Sequence, residues 1–530
     1  MTVDQIHIEM MEPRQRAVSI ERLRELFPDA VWRCEKLPAA LDAVADDSRN
    51  VTPGAAFVAI VGYETDGHLF LAKARDAGAD LLVAELGQVE SRPELLEPVE
   101  ESAILLVANT RLAASILAAE FYGHPSREIR VHGVTGTKGK TTSVHLIAYI
   151  LSADGRSPAV MGTLGIEFGS DVWKSDLTTP GPIEFQKILR LLVDKGATDI
   201  ACEVSAHAGA LSRTTAVRFE TVTYLNLSRD HGDHFTPEGY LEAKMAISRD
   251  AVGMNPDVWG IGNARDPYTR SFLEPIAPER RLTFTAHDIG EEPTEPCDLV
   301  ARIVSRSPDH LEMMIQAKTW ERSVSLPLIG RFNAENAAAA AAVAVATGID
   351  PDAIVRGLSE ARPIAGRLEK IDKGQDFLVV VDYAHAPQPA EEALACLREL
   401  TEGKLIAVMG AGGSRDRGKR PMIGEVLARD CDVAVITSDN PRKEEPLDII
   451  NDILVGARRV KDPRAEIIAE VDRRKAIETA LELARAGDTV AILGKGHETY
   501  QIFRDKTIHF DDREVVREWL EGHGYGGVEE

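Results

Sequence analysis

Short apolar runs alternate with amphipathic stretches along the chain, and the rhythm changes twice. Residues 1–128 carry the brief β-like runs AAFVAIVG, DLLVAE and AILLVA, set between helical stretches such as HLFLAKARDAGA. From residue 129 the pattern predicts a buried strand over 129–134, a glycine loop over 136–139 and an amphipathic helix from Lys140 to Ala153, stopped near Gly155. Further strand and helix signals run to about residue 360, among them an alanine-rich helix after GRFNAEN. A third segment opens near ARPIAGRLEKID. It alternates FLVVVDY, a helix from Pro389, KLIAVMG, a helix near Arg420, VAVITSD, helices from Pro446 and from Arg473, and TVAILGKG. Such alternation builds a doubly wound parallel sheet with helices on both faces. The expected class is α/β in three domains, 1–128, 129–360 and 361–530, which suits a chain of 530 residues at ~150 residues per domain.

Composition narrows the partners. With 44% hydrophobic and 28% charged residues the chain has an ordinary globular makeup, and its net charge of −24 argues against a nucleic-acid partner. Small anionic ligands stay open, because local basic and backbone sites hold phosphate inside acidic proteins. Cys34, Cys202, Cys297, Cys396 and Cys431 lie far apart without a CxxC, which fits a reducing compartment and neither disulfides nor zinc. MTVDQIHIEMMEPRQR has no apolar signal core, and no stretch is long and apolar enough to span a bilayer. The expected location is the cytoplasm.

The chemistry begins at GVTGTKGKTT, residues 133–142. A glycine loop between strand and helix aims backbone N–H groups and a helix N-terminus at phosphate, with Lys140 near the β/γ-phosphates and Thr141 reaching Mg²⁺. Val134 stands where the standard loop has its first glycine, so this is a variant, and an ordinary glycine turn is the plain alternative. DIACEVSAHAGALSR delivers Glu203 at a predicted strand end, and TYLNLSRDHGDHF does the same for Asn226, Asp230 and His231. A carboxylate and an imidazole at neighbouring strand tips suit a divalent cation that also binds phosphate oxygens. Taken alone, Glu203 reads as a strand-end ion pair and His231 as a loop histidine; the upstream GKTT tips the balance. His207 and His234 are weaker candidates. Lys244, on the helical stretch GYLEAKMAISRD, reads from spacing as a solvated surface lysine.

In the third segment GAGGSRDRGKRP, SDNPRKEEP and GKGHETYQ each follow a strand. Loops at the carboxyl ends of parallel strands form the ligand crevice of open α/β sheets, so Arg415, Arg442 and residues 494–498 are expected to converge there. Arg442, placed after a rigid Asn-Pro, suits one wall of a carboxylate pocket.

Taken together, DDSRNVTPGAAFVAIVGYETDGH, GVTGTKGKTT, TTPGPIEFQ, EVSAHAGALSR, DHGDHF, GRFNAEN, GRLEKID, VDYAHAP, GGSRDRGKRP, SDNPR and GKGHETYQ resemble, in order, the Mur ligases. The likeness is greatest to the type that adds meso-diaminopimelate to UDP-N-acetylmuramoyl-L-alanyl-D-glutamate. The resemblance implies a UDP-binding domain, a central P-loop-like ATPase and a Rossmann-like C-terminal domain, using ATP and Mg²⁺ and passing through an acyl phosphate, in a monomer. It implies that Ser48, Arg49, Asp66, Gly67 and His68 line the uridine-diphosphate site, with Thr178, Thr179, Ser205 and Arg213 on the muramoyl-peptide. Gly136, Thr137, Lys138, Gly139, Lys140, Thr141 and Thr142 would hold ATP phosphates, and Asn333, Arg367, Asp382 and His385 the rest of the nucleotide. Thr141, Glu203, His231 and a carbamoylated Lys244 would be metal ligands, and Lys140, Glu203, His231 and Lys244 the catalytic set. Arg415, Asp439, Asn440, Arg442, Gly494 and Glu498 would bind diaminopimelate.

The chain departs from the family pattern at Lys138 for asparagine, Ala206 for serine, Gly209 for a larger apolar residue, Gly232 for leucine and Ser414 for aspartate. Rival readings are ligation of L-lysine or another diamino acid, a different amide ligase of the folate-polyglutamate or MurF type, and a nucleotide-binding regulatory protein without turnover. Lysine is disfavoured because it has no second carboxylate for Arg442.

Overall fold

The computed structural model describes residues 13–34, 37–62, 65–227, 236–291, 293 and 295–526. They fall into two compact units, one of residues 1–285, 293–299 and 336–357, the other of 286–292, 300–335 and 358–530.

Among the described residues the first unit contains two large sheets, besides the short antiparallel pair of Val18–Ser19 with Ala40–Leu41. Near the N-terminus Ala43–Ala45, Ala55–Val58, Ala79–Glu85 and Ile104–Val107 pair in parallel, and Val31–Arg33 closes one edge antiparallel. The expected runs AAFV and ILLV are fully buried in it, as strands covered on both faces should be. The second sheet is organised around Arg130–Thr135, which lies between Asp199–Glu203 and Phe219–Tyr224, all parallel. Pairing sets Glu203 beside Val134 and Tyr224 beside Thr135, so three strands end at one level and their following loops share one crevice. The helix Lys140–Ala153 has the bounds predicted from its spacing.

In the second unit six strands run in the order Glu369–Lys370, Leu378–Asp382, Thr489–Leu493, Leu405–Met409, Val433–Ile436 and Glu466–Ala469. All but the first are parallel. The helix expected from Pro389 begins at Pro387, and the others begin at Lys419, Pro446 and Arg473. The four-residue edge strand Glu466–Ala469 is partly exposed and too short to carry a period. Helices Lys419–Asp430 and Pro446–Ala457 cross where Gly424 and Gly456 face the partner's backbone carbonyls, Ile453 and Pro421; any side chain there would push the helices apart.

Beneath the carboxyl end of this sheet lies a fully buried ion pair. Arg473 Nε and Nη2 donate to Asp512 at 2.8 and 2.7 Å, while Nη1 reaches Ser438 O at 3.3 Å and Nη2 reaches Leu493 O at 3.1 Å. One guanidinium therefore ties the ends of two strands to the last helix. Removing one member of a buried pair strands the other charge. Asp512→Ala is expected to lower unfolding free energy by about 3–5 kcal/mol, and Arg473→Met with Asp512→Leu to recover most of the loss. Urea unfolding of the three proteins checks this; a double variant that loses more than Asp512→Ala, as additive effects would give, would show that the pair is not coupled.

Candidate active site

The phosphate loop is held from two sides. Gly139 takes φ +86° and leads straight into the helix, which no side chain caps, so its first-turn N–H groups face the loop. Asn226 Oδ1 accepts from Thr137 N and Lys138 N at 3.1 and 3.0 Å, and its Nδ2 donates to Lys138 O at 3.2 Å. The structure thus places Asn226, delivered at its strand end, as a clamp on the loop. Lys140 Nζ arches back to Gly136 O and Thr137 O at 2.8 and 3.1 Å, so the cation lies over the loop.

Glu203 is buried at its strand end, 1% exposed. Its Oε1 accepts from Thr141 Oγ1 at 2.9 Å and Thr163 N at 2.8 Å, and Oε2 accepts from Thr163 Oγ1 at 3.2 Å. Thr163 in turn meets Thr178 at 3.3 Å. Thr179 Oγ1 donates to Glu203 O at 2.8 Å and accepts from Ser205 N at 3.0 Å, and Arg213 Nη1 donates to Thr179 O at 2.7 Å. Thr141, Glu203, Thr178, Thr179, Ser205 and Arg213 are therefore one hydrogen-bonded group. Thr163 belongs to it and was not foreseen; its only signal was a polar residue in the VMGTLG turn.

Lys244 overturns the solvated reading. It sits on the helix Pro237–Met254, 1% exposed, with Nζ 3.5 Å from Thr135 Oγ1 and 4.8 Å from the Tyr240 ring centroid. Burial, reinforced by the Lys140 cation and opposed by Asp266, holds its pKa well below the ordinary lysine value. Asp230, His231, Gly232 and His234 lie outside the described residues. Among the described residues no three His, Cys, Asp or Glu side chains gather as a metal cluster.

Farther toward the N-terminus His68 is spent internally. Its Nε2 accepts from Glu85 N at 2.9 Å, so Nδ1 carries the proton it gives to Asp66 at 2.7 Å. Gly67 lies against the Ile60 backbone, leaving no room for a Cβ. Ser48 is buried, while Arg49 is exposed and paired with Asp47.

The second unit holds two further groups. Gly366, with φ +63°, packs against Gly496 and His497. Arg367 lies 5.1 Å from the Tyr383 ring centroid, and Tyr383 lies 4.7 and 4.9 Å from His385 and His497. Asp382 accepts from Leu368 N and Ala384 N at 2.7 and 2.8 Å. Burial beside Arg367 and Arg513 pushes His497 down to about 3, so its ring is neutral. Asn333 Nδ2 donates to Ile329 O at 2.7 Å. Tyr383 and His497 join this group although neither was singled out.

The other group bears out the expected convergence of three loops. Gly413 N donates to Asn440 O at 2.8 Å, and Arg442 Nη1 to Gly413 O at 3.2 Å. Asn440 Nδ2 donates to Glu498 Oε2 at 2.8 Å, and Gly494, at φ +117°, would bring a Cβ to 2.7 Å from Asp439 Oδ2. Arg442 itself has φ +53°, fixed by its N–H to Ile502 O at 3.0 Å. A non-glycine residue held in this region stores about 1–3 kcal/mol of strain, which the surrounding bonds must offset. Arg415 is exposed on the same glycine loop as Gly412.

Three family descriptions match the chain in order: "Mur ligase family, catalytic domain" over 41–122, "Mur ligase middle domain" over 134–344 and "Mur ligase, glutamate ligase domain" over 366–496. A Solibacter usitatus protein named UDP-N-acetylmuramoyl-L-alanyl-D-glutamate--2,6-diaminopimelate ligase is 38% identical over 483 residues, covering 91% of this chain and 94% of that one. The chain belongs to the Mur ligase family. A Syntrophomonas wolfei protein of the same name is 38% identical over 487 residues, covering 92% and 96%. A solved structure bearing that enzyme name is 28% identical, with a TM-score of 0.68 and coverage of 96% of this chain and 100% of that one.

One departure of this Mur ligase from its family has a steric cause in its own structure. A Cβ on Gly209 would strike the Ala243 backbone carbonyl, so the short helix Ala206–Ala210 lies directly on the helix that carries Lys244. Ala206 packs with Tyr240 and Ala243 in the same seam. Gly209→Leu is expected to cost about 1–3 kcal/mol by overpacking and to loosen Lys244's burial. Thermal unfolding checks the first; increased reactivity of Lys244 toward an amine-labelling reagent, read by peptide mass, checks the second.

Proposed function

We propose that this Mur ligase is the ATP-dependent enzyme of peptidoglycan precursor synthesis that joins meso-diaminopimelate to UDP-N-acetylmuramoyl-L-alanyl-D-glutamate. The observation that carries the reading is the crevice of Asp439, Asn440, Arg442, Gly494 and Glu498, which offers a guanidinium for a carboxylate and two carboxylates for an ammonium. The distal end of diaminopimelate bears both groups; that of lysine bears one. The names of the relatives support the same substrate. Residues 1–128, 129–360 and 361–530 serve, on this reading, the UDP-substrate, ATP and the amino acid.

In the reaction the peptide carboxylate attacks the γ-phosphorus of ATP, releasing ADP and leaving an acyl phosphate. The amine of the amino acid then attacks the acyl carbon, loses a proton, and phosphate departs as the amide forms. Lys140 and the loop N–H groups neutralise charge that grows on phosphate oxygens in the first step. Arg213, Ser205 and Thr179 hold the muramoyl-peptide, while Arg367, Asp382, His385 and Asn333 hold the nucleotide. Arg442 and Glu498 fix the distal end of the amino acid so that its other amine addresses the carbonyl. Glu203 and Thr141 offer the hard oxygen donors magnesium takes, and a carbamate on Lys244 would add a second anionic one; with His231 these residues would hold the ion. When bound, magnesium draws charge from the phosphate oxygens.

The deciding experiment supplies UDP-N-acetylmuramoyl-L-alanyl-D-glutamate, ATP and a panel of single amino acids, and measures ADP and tripeptide product. Turnover with meso-diaminopimelate far above L-lysine is expected; turnover with lysine alone, or none with any amine, would overturn the reading.

Lys244→Ala is expected to be nearly inactive, with activity partly restored by millimolar short carboxylic acids that fill the vacated position. Full activity in the unrescued variant would remove Lys244 from the site. Arg442→Ala is expected to lower kcat/KM for diaminopimelate by about 30- to several thousand-fold, the ~2–5 kcal/mol lost when one member of a buried charge pair is truncated. Use of L-lysine and the KM for ATP should hardly change, so the ratio of the two kcat/KM values is the measurement.

A further inference from the structure

Lys495 is the one lysine of the GKGHETYQ loop, and its side chain is completely buried although it follows a strand end that faces the crevice. Its Nζ donates to Glu498 Oε2 at 3.2 Å, to Asn440 Oδ1 at 3.5 Å and to the Tyr500 carbonyl, and lies 5.5 Å from the Tyr500 ring centroid. Glu498 Oε2 thus receives both this ammonium and the Asn440 amide, while Asn440 Oδ1 also accepts from Ile502 N at 3.0 Å. The amide is thereby fixed with its oxygen toward Lys495 and its nitrogen toward Glu498.

We propose that Lys495 is a positioning residue that determines amino-acid specificity, holding Glu498 and Asn440 in register and balancing the charge of the pocket. The inference rests on the amino-acid reading given above. Apart from the exposed Arg415 and the Arg473–Asp512 pair, which is neutral in itself, the crevice carries two carboxylates, Asp439 and Glu498, and two cations, Arg442 and Lys495. A balanced pocket favours a distal end that brings one charge of each sign, because each substrate group then meets a complement and no pocket charge is left over. Without Lys495 the pocket gains one net negative charge. A distal ammonium alone, as in L-lysine, then becomes the better match, and a distal carboxylate meets uncompensated repulsion. Lysine serves here through its compact ammonium, which satisfies three acceptors at once from a confined position.

A purely structural Lys495 would hold the loop over residues 494–500 and nothing else. Its loss would then lower use of every amino acid together and leave their ratio unchanged. The test compares kcat/KM for meso-diaminopimelate and for L-lysine in the full-length wild-type protein, Lys495→Gln, Lys495→Met and Lys495→Arg, with the KM for ATP as control. Lys495→Gln and Lys495→Met are expected to shift the ratio toward lysine by on the order of ten-fold or more, with the ATP KM unchanged. Lys495→Arg, which keeps the charge, is expected to stay closer to wild type. A ratio unchanged in Lys495→Gln overturns the proposal, and this variant decides if Lys495→Met does not fold, because glutamine can still donate to Glu498. A wild-type protein that ligates neither amino acid overturns the function reading itself, an outcome read before any variant is made.

Discussion

Burying a carboxylate in a protein interior is costly unless its oxygens are fully engaged, and the first unit is arranged around one such group. Glu203 ends a central strand with both oxygens in hydrogen bonds, one from the first turn of the phosphate-loop helix and two from Thr163. Those bonds lock three chain segments to one point. They also leave no space above Gly162, where a Cβ would run into the carboxylate. The backbone carbonyl of the same residue accepts from Thr179, which brings in Ser205 and Arg213. The loop helix, Thr163 and the Thr179–Ser205–Arg213 group are therefore positioned by one residue. A change at Glu203 disturbs geometry as well as charge.

The second unit solves a similar problem differently. Its loops follow parallel strands, whose carboxyl ends naturally form a crevice, but loops that long need restraint. Arg473 supplies it from below, reaching carbonyls of the residues just before Asp439 and Gly494. From the side, the Asn440–Glu498 bond and the Arg442–Gly413 bond tie all three loops together. The left-handed backbone at Arg442 is consistent with this: a strained residue persists only where its neighbours over-determine it.

Features that depend on a few adjacent residues were legible in the sequence. The phosphate loop and its helix, the parallel strands of the second unit and the three loops at their ends all follow from local runs and glycine placement. What depends on packing between distant segments was not. Lys244 reads as exposed because a lysine on a helix is ordinarily solvated, and the contacts of Gly209 with Ala243 and of Ala206 with Tyr240 show how closely that helix is covered. Arg473 reads as one more charge at a helix start, since its partner Asp512 is 39 residues away. Asn226 holds backbone groups of Thr137 and Lys138, and His68 is held by the Glu85 N–H and the Asp66 carboxylate. In each case the residue type was informative and its duty was decided by a partner that no spacing rule reveals.

Lys244 and Lys140 connect these observations to chemistry. Two ammonium groups near one another in a buried setting are mutually destabilising, and the buried one yields, as its depressed pKa indicates. A neutral buried amine is a nucleophile: its nitrogen can bond the carbon of carbon dioxide while one C=O bond opens onto oxygen and the nitrogen releases a proton. On the proposed reading the resulting carbamate reverses the sign of the position. Repulsion from Lys140 becomes attraction, while the carbamate nitrogen keeps one N–H to donate to the Thr135 hydroxyl 3.5 Å from Nζ. The same burial that forbids a charged lysine can hold a carbamate, because a cation beside it offsets the desolvation that an isolated anion would suffer. The close seam at Gly209 keeps the helix that carries Lys244 tightly covered; on the proposed reading it also keeps out the water that would restore the ammonium.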